Sequence, residues 1–436
     1  MRCLLVILLS FIWLFSTSCF TSPADKGDQK LGSKIAFDYH QLTEKDIDYL
    51  SRFDIIVTHN LESNRITKRL KGGGGKIFFY EWLSAFYYRD YSGSWERLAY
   101  KNREKWTLDP RESDPDPMGD RHHCKDFFYD MGDDDLIEQR VEYLTGQAKS
   151  HGYDGIFFDW GSGWHSLQEN GYTFLTKEFV RRHPEKRYND GVNLFLKKLK
   201  EKGLFIIVNG GFRSENSELD RYADVDIVES MFTTDQCDKS SSIDIEKEGV
   251  QKACETWFNT LDRSLELAER LPGKAASANK DIKFLFLNYA FPYYRQANNR
   301  GASDKRYEKS ADRQAIYYSL ALSYLGNASG FTSGSDVSLA YVMDEVYFSS
   351  IGGATSKIVR LDESTVLRYY SSGFVVASEK EKKLEITVPA GVKTVHDLYS
   401  SSRINVVLGK ALISMRPESY PSRAKYPMGR IFIYEY

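Results

Sequence analysis

The sequence predicts an α/β fold: a (β/α)8 TIM barrel followed by a small all-β sandwich. Three observations carry that prediction. Short apolar runs alternate with helix-period segments over most of the chain. Those runs are continuously apolar, as parallel strands covered by helices must be. After about Thr355 the helix-period segments stop, and short strands separated by turns take over.

The expected strands of the barrel are, in order, KIAFDYH (34–40), FDIIVTHN (53–60), KIFFYEW (76–82), DGIFFDW (154–160), LFIIVNGG (204–211), VDIVESMF (225–232) and IKFLFLNYAF (282–291). An eighth, ASGFTS (328–333), is the most weakly marked. Between them, Asp133–Asp135 caps a helix whose Leu136, Ile137, Val141, Leu144 and Ala148 share one face. Another helix begins near Val192, turns Phe195, Leu196 and Leu199 inward, and ends at Gly203. A doubly wound sheet is the alternative. It is disfavoured because Asp38-Tyr39-His40 follows the first strand where a phosphate-binding loop would stand. The run Gly72–Gly75 precedes a strand and opens no helix, so it reads as a turn.

An insertion from roughly Ala85 to Asp130 follows the third strand and is rich in Tyr, Trp, Asp and Pro. In a barrel such an insertion lies over the face where the strands end. The barrel is assigned to 34–340 and the sandwich to 356–436, where KLEITVP (383–389) alternates strictly.

Residues 1–18 read as a secretory signal: Arg2, the apolar run LLVILLSFIWLF, then small residues. Cys19 follows directly, as in a bacterial lipobox, although Ser16 stands where an aliphatic residue is usual. Export is expected, to the periplasm, as a membrane-anchored lipoprotein or to the cell surface. Plain cleavage after Ser18 is the alternative to lipidation. Of the remaining cysteines, Cys124, Cys237 and Cys254 have no zinc-type spacing, and Cys237 with Cys254 is one conceivable pair.

Lys and Arg number 59 against 61 Asp and Glu, a balance that carries no footprint for nucleic acid or an anionic membrane. Contact with a membrane is expected only through a lipid anchor. Aromatic content of 14% supplies rings beyond the needs of a core, and loops rich in rings make flat platforms for sugars.

In a barrel, chemistry sits where strands end. The polar residues ending these strands are Asp38, Glu81, Asp159, Asn209, Glu229 and Asn288-Tyr289. Such a floor, rich in carboxyl groups and without a histidine cluster, suits glycoside hydrolysis, which needs one proton donor and one carboxylate at the anomeric carbon. Asp159 and Glu229 end the fourth and sixth strands and are the expected pair, Asp159 as nucleophile or stabilising base and Glu229 as general acid. Asn209 lies between them, placed to bond a sugar hydroxyl or orient a carboxylate. The competing structural roles are a cap on the turn at Gly161 for Asp159 and a rim ion pair for Glu229. Glu81 competes for one catalytic role. Asp38, Tyr80 and Glu81 are expected to contact substrate, with Trp82, Trp160, Trp164, Tyr289 and Tyr293 as stacking surfaces. His40 and His59 stand apart from any metal-like spacing. Asp154 precedes its strand and reads as structural.

YDGIFFDW, the strand ending at Asn209 and DIVESMF together resemble the barrel of glycosyl hydrolases related to glycoside hydrolase family 114, the endo-α-1,4-polygalactosaminidases. The resemblance covers approximately 34–335. It implies that Asp159 and Glu229 are the catalytic pair with Asn209 between them, and that the bond cut joins α-linked amino sugars. The family's Gly-Glu after the third strand's Tyr is missing here, where Tyr80 is followed by EWLSAFYYR. The segment VLRYYSSGFVVAS with the later DLYS (397–400) resembles uncharacterised glycosyl hydrolases with an appended sandwich.

Two readings follow. One is an exported glycoside hydrolase acting on a polysaccharide or oligosaccharide, needing no metal or organic cofactor. The other is a glycan-binding lipoprotein on a barrel that has lost its chemistry. A metal-dependent deacetylase would need a histidine set that the scattered histidines do not provide.

Overall fold

The computed structural model describes residues 35–38, 42–88, 93–110, 125–161, 163–164, 167, 173–210, 222–229, 232, 260–277, 283–289, 293–298, 301–306, 313–326, 329–333, 345–416 and 427–436. The expected signal, Cys19 and the three later cysteines lie outside them, as do the side chains of Tyr289 and Tyr293.

Eight parallel strands form one curled sheet in the order β1 (Ile35–Asp38), β2 (Ile55–Thr58), β3 (Lys76–Trp82), β6 (Gly155–Asp159), β7 (Phe205–Asn209), β8 (Val225–Glu229), β9 (Lys283–Tyr289) and β12 (Ser329–Ser333). This is the strand order of a (β/α)8 barrel, and it includes the weakly marked eighth strand. Residues of β1 and β12 come within 8 Å, but no hydrogen-bonded ladder joins these two strands among the described residues. The curl is evident from the rings inside. Phe37 on β1 and Phe157 on β6 are three strands apart along the sheet, yet their ring centroids lie 4.9 Å apart. In a flat sheet three spacings would be about 14 Å.

The helices follow their sequence signals. Asp133 caps Asp134–His151 by accepting the Leu136 N–H at 2.8 Å, and Gly152 ends that helix at φ 77°, a left-handed conformation natural to glycine. Its buried face carries Leu136, Ile137, Val141, Leu144 and Ala148, as the spacing predicts, and also Arg140. The Gly72–Gly75 run is a turn of close approach. A Cβ at Gly73 would fall 1.8 Å from the Ser51 carbonyl oxygen, so only glycine fits.

The insertion after β3 builds its own aromatic core. Strands β4 (Ala85–Tyr88) and β5 (Lys125–Phe128) pair antiparallel, and Trp95, Trp106, Phe127 and Tyr129 are buried around them. The Trp95 indole donates to the Tyr129 hydroxyl at 2.7 Å. These rings are therefore packing, not platforms. Asp130, at the end of the insertion, is buried and bonds His183 Nε2 at 2.8 Å, just past the neighbouring helix Thr173–Arg182. After β9, strands β10 (Tyr293–Asn298) and β11 (Gly301–Arg306) form a hairpin that the sequence pattern does not announce.

The C-terminal region is a separate antiparallel all-β unit. Its strands are β13 (Val359–Asp362), β14 (Thr365–Tyr370), β15 (Gly373–Ser378), β16 (Lys382–Thr387), β17 (Thr394–Asp397), β18 (Ser402–Val407), β19 (Lys410–Met415) and β20 (Met428–Glu435). They are ordered β13-β14-β15-β20-β17-β18-β19-β16. Strand β18 pairs with β17 through one half and with β19 through the other, so the sheet folds over. A core of Phe374, Val376, Ile386, Val395, Ile413 and Phe432 fills the fold. The opposite face of β15 and β20 packs on the helix Arg313–Leu325 of the parallel-sheet unit. There Tyr317 donates to the Leu398 carbonyl at 2.7 Å, and buried Arg368 reaches the Leu325 carbonyl at 2.9 Å.

Candidate active site

Register decides which strand-end residues meet. Tyr80 is opposite Phe157, Trp82 opposite Asp159, Asn209 opposite Ile227 and Glu229 opposite Leu287. Side chains alternate faces along a strand. Phe37, Tyr80 and Phe157 are in ring contact across the inside of the curl. Trp82, Asp159, Asn209 and Glu229 are therefore on that same concave face, at the C-terminal ends of their strands.

Asn209 joins the two carboxyl groups. Its Nδ2 donates to Asp159 Oδ1 at 2.9 Å and to Glu229 Oε2 at 2.8 Å. A planar amide presents two N–H bonds about 120° apart. Straight hydrogen bonds of these lengths set the two accepting oxygens about 5 Å from each other.

Asp159 has two further donors. The Tyr80 hydroxyl reaches Oδ2 at 2.5 Å, and the Trp160 backbone N–H reaches Oδ1 at 2.8 Å. A set of N–H and O–H groups all pointing inward matches an acceptor-only carboxylate. The Tyr80 oxygen in turn accepts the Trp82 indole N–H at 2.8 Å. Trp160 reaches its position from left-handed backbone, φ 54°, uncommon for a bulky residue and a form of local strain. The turn lays its ring on Trp82, with centroids 5.3 Å apart and planes 6° from parallel. Gly161 then bonds the Asn209 carbonyl at 2.9 Å, tying the ends of β6 and β7 together.

Other expected site residues are placed elsewhere. Glu81 alternates to the outer face of β3, towards the helix Asp134–His151. Its carboxyl is pushed up to about 7, first by loss of water and slightly by Glu96, against the opposing pull of Arg140. Asp38 is buried and, one residue beyond Phe37, alternates to the same outer face. Trp164 packs against Phe179 and Tyr188, at 6.0 and 6.1 Å, and its N–H bonds Asn189. It lines the helical layer and does not join the Trp82–Trp160 pair. Asn288, also outward, accepts the Phe232 N–H at 2.7 Å. Asp154 accepts the Ile77 N–H and pairs with Lys71 at the opposite end of the parallel strands, a structural role as expected.

Two residues to which the sequence reading gave no role in the site enter its surroundings. His59 lies at the mouth, its ring 4.6 Å from that of Tyr80. Arg140 is fully buried and donates to the carbonyls of Trp82 and Leu83, with its guanidinium 4.1 Å above the Tyr129 ring. A lone Arg between Ile137 and Leu144 on an apolar helix face was its signal. Among the described residues no group of three or more His, Cys, Asp or Glu is arranged to hold a metal ion, and no helix is long and apolar enough to cross a membrane.

No protein-family model matches the chain, and no curated protein matches it. Similar solved structures include the glycoside hydrolase domain of PelA from Pseudomonas aeruginosa, at 16% identity over 70% of this chain and 95% of that one, TM-score 0.44. An alpha-amylase from Lactobacillus plantarum is similar at 12% identity over 93% and 100%, TM-score 0.47. An alpha-amylase from Malbranchea cinnamomea is similar at 10% identity over 93% and 97%, TM-score 0.47.

Proposed function

We propose that this chain is an exported glycoside hydrolase that cleaves a polysaccharide with retention of anomeric configuration. The observation that carries this reading is the shared amide: one Asn209 nitrogen bonded to both Asp159 and Glu229. Retaining enzymes hold their carboxyl groups about 5–5.5 Å apart, and inverting enzymes need roughly 6.5–9.5 Å to admit a water. The spacing of about 5 Å between the two bonded oxygens that straight hydrogen bonds from one amide give is in keeping with the first class.

Asp159, with three donors aimed at it, is the nucleophile. Glu229 gives its proton to the glycosidic oxygen while an Asp159 oxygen attacks the anomeric carbon. The bond to the leaving sugar breaks and a glycosyl ester forms. Glu229, now a carboxylate, takes a proton from water, whose oxygen attacks the same carbon and releases Asp159. Neither step requires a metal or an organic cofactor.

The strand-end resemblance to the polygalactosaminidases makes α-linked amino-sugar polymers the first substrates to try. The N-terminal segment makes the cell envelope the place of action, with Cys19 as the site of lipidation. The test is reducing-end release from a panel of exopolysaccharides by the wild type, Asp159→Asn and Glu229→Gln. Cleavage lost in both variants while binding persists is the expected result. Equal binding by all three without cleavage anywhere would replace this reading with the glycan-binding lipoprotein.

A further inference from the structure

The paired indoles at the mouth have more to do than pack. Trp82 and Trp160 lie face to face, and each controls one oxygen of Asp159. Trp82 acts on Oδ2 through the Tyr80 hydroxyl, and Trp160 acts on Oδ1 through its own backbone N–H. A phenol carries one proton. With the Tyr80 oxygen accepting the indole N–H, that proton is directed along the remaining line, to the carboxylate. On the other side, the left-handed turn that brings the Trp160 N–H onto Oδ1 also carries its ring onto Trp82. The Arg140 guanidinium holds the base of the stack by bonding the carbonyls of Trp82 and Leu83, and the Leu83 N–H bonds the Asp159 carbonyl at 2.8 Å.

We propose that Trp82 is a positioning residue, which fixes the nucleophile's oxygens through the relay Trp82–Tyr80–Asp159 and through its stack on Trp160. This differs from the sugar platform that its place in the sequence suggests. It rests on the retaining-hydrolase reading for its kinetic consequences, though not for its hydrogen bonds. A platform residue binds ground state and transition state alike and would move KM. A residue that aims the nucleophile acts in the step where the Asp159–carbon bond forms and moves kcat.

The experiment compares wild type, Trp82→Phe, Tyr80→Phe and the double variant, and adds a measurement that needs no turnover. Trp82→Phe keeps an aromatic ring on Trp160 but loses the indole N–H together with part of the stacked area. Its kcat should fall by about 10- to 100-fold with KM within about threefold, and the double variant should be no slower than Tyr80→Phe alone, because a relay can be cut only once. A raised KM at unchanged kcat, or losses that multiply in the double variant, overturns the proposal.

The chain has seven tryptophans, so the indole N–H resonances form a short set in a nitrogen–proton spectrum, and the peak missing from Trp82→Phe identifies Trp82. Tyr80→Phe should shift that peak and speed its exchange with solvent. Cleavage by the wild type with an indole peak indifferent to Tyr80→Phe overturns the relay. A shifted peak in a wild type that cuts no glycan sustains the relay and sinks the hydrolase reading, so the two failures are distinguishable. The same spectra report whether each variant is folded.

Discussion

Glu81 and Asp159 lie on adjacent strands one register step apart, and their side chains leave on opposite faces of the sheet. One joins Asn209 and Glu229 on the concave face. The other is pressed against the helical layer near Arg140, Glu96, Tyr129 and Tyr143. Two carboxyl groups that look equivalent at strand ends thus have unrelated duties.

Glu81 makes stability depend on pH. Its carboxyl stands at about 7 in the fold against an ordinary 4.5, so between those values the folded state holds a proton that the unfolded chain has released. Stability contributed by the neutral acid is full below about 4.5 and is lost as pH rises through about 7, by roughly 3 kcal/mol. Glu81→Gln should flatten that decline and raise the unfolding midpoint at pH 8. Urea titrations of both proteins at pH 5 and pH 8 measure it. An unchanged pH slope would place the effect elsewhere.

Arg140 should be expensive to remove. Its substitution leaves the Trp82 and Leu83 carbonyls without their buried donor, and Arg140→Met keeps the apolar stem, so the loss reports those bonds. We expect a cost of about 3 kcal/mol in chemical unfolding, together with a lower kcat from the loosened end of β3. A loss below about 1 kcal/mol would count against the buried fork.

Asn209 holds the two carboxyl groups apart and orients both. Asn209→Ala should lower kcat/KM by about 100-fold or more while the fold survives, the scale seen when one preorganised donor is removed. Steady-state kinetics beside a thermal melt distinguish this from unfolding. Activity within a few-fold of wild type would mean that the carboxyl groups are held apart by something else.

The β unit should melt with the barrel. At Gly429 a Cβ would lie 2.4 Å from the Tyr317 carbonyl oxygen and 2.6 Å from the Tyr318 Cα, backbone that cannot swing aside. Gly429→Ala should therefore destabilise the whole chain by about 2 kcal/mol, visible calorimetrically as one shifted transition. Two separated transitions would show that the interface does not couple the units.

The sequence by itself determined the elements and their polar ends. Eight apolar runs became the eight parallel strands, Asp133 and Gly152 bounded their helix, and Asp159, Asn209 and Glu229 each closed a strand. These are local facts, carried by side-chain polarity and by the backbone preferences of glycine and capping residues. What the tertiary structure decided was facing. Strands apolar on both sides carry no alternation to mark inside from outside, so Glu81 stayed a competitor for a catalytic role and Asp38 read as a substrate contact. Inter-strand register turned them outward. The same register brought Tyr80 and Trp82 to Asp159 and gave Arg140 two carbonyls to hold. Contacts of that kind depend on residues about 50 to 80 positions apart being placed within a hydrogen bond of each other, and hydrophobic patterning specifies burial without specifying neighbours.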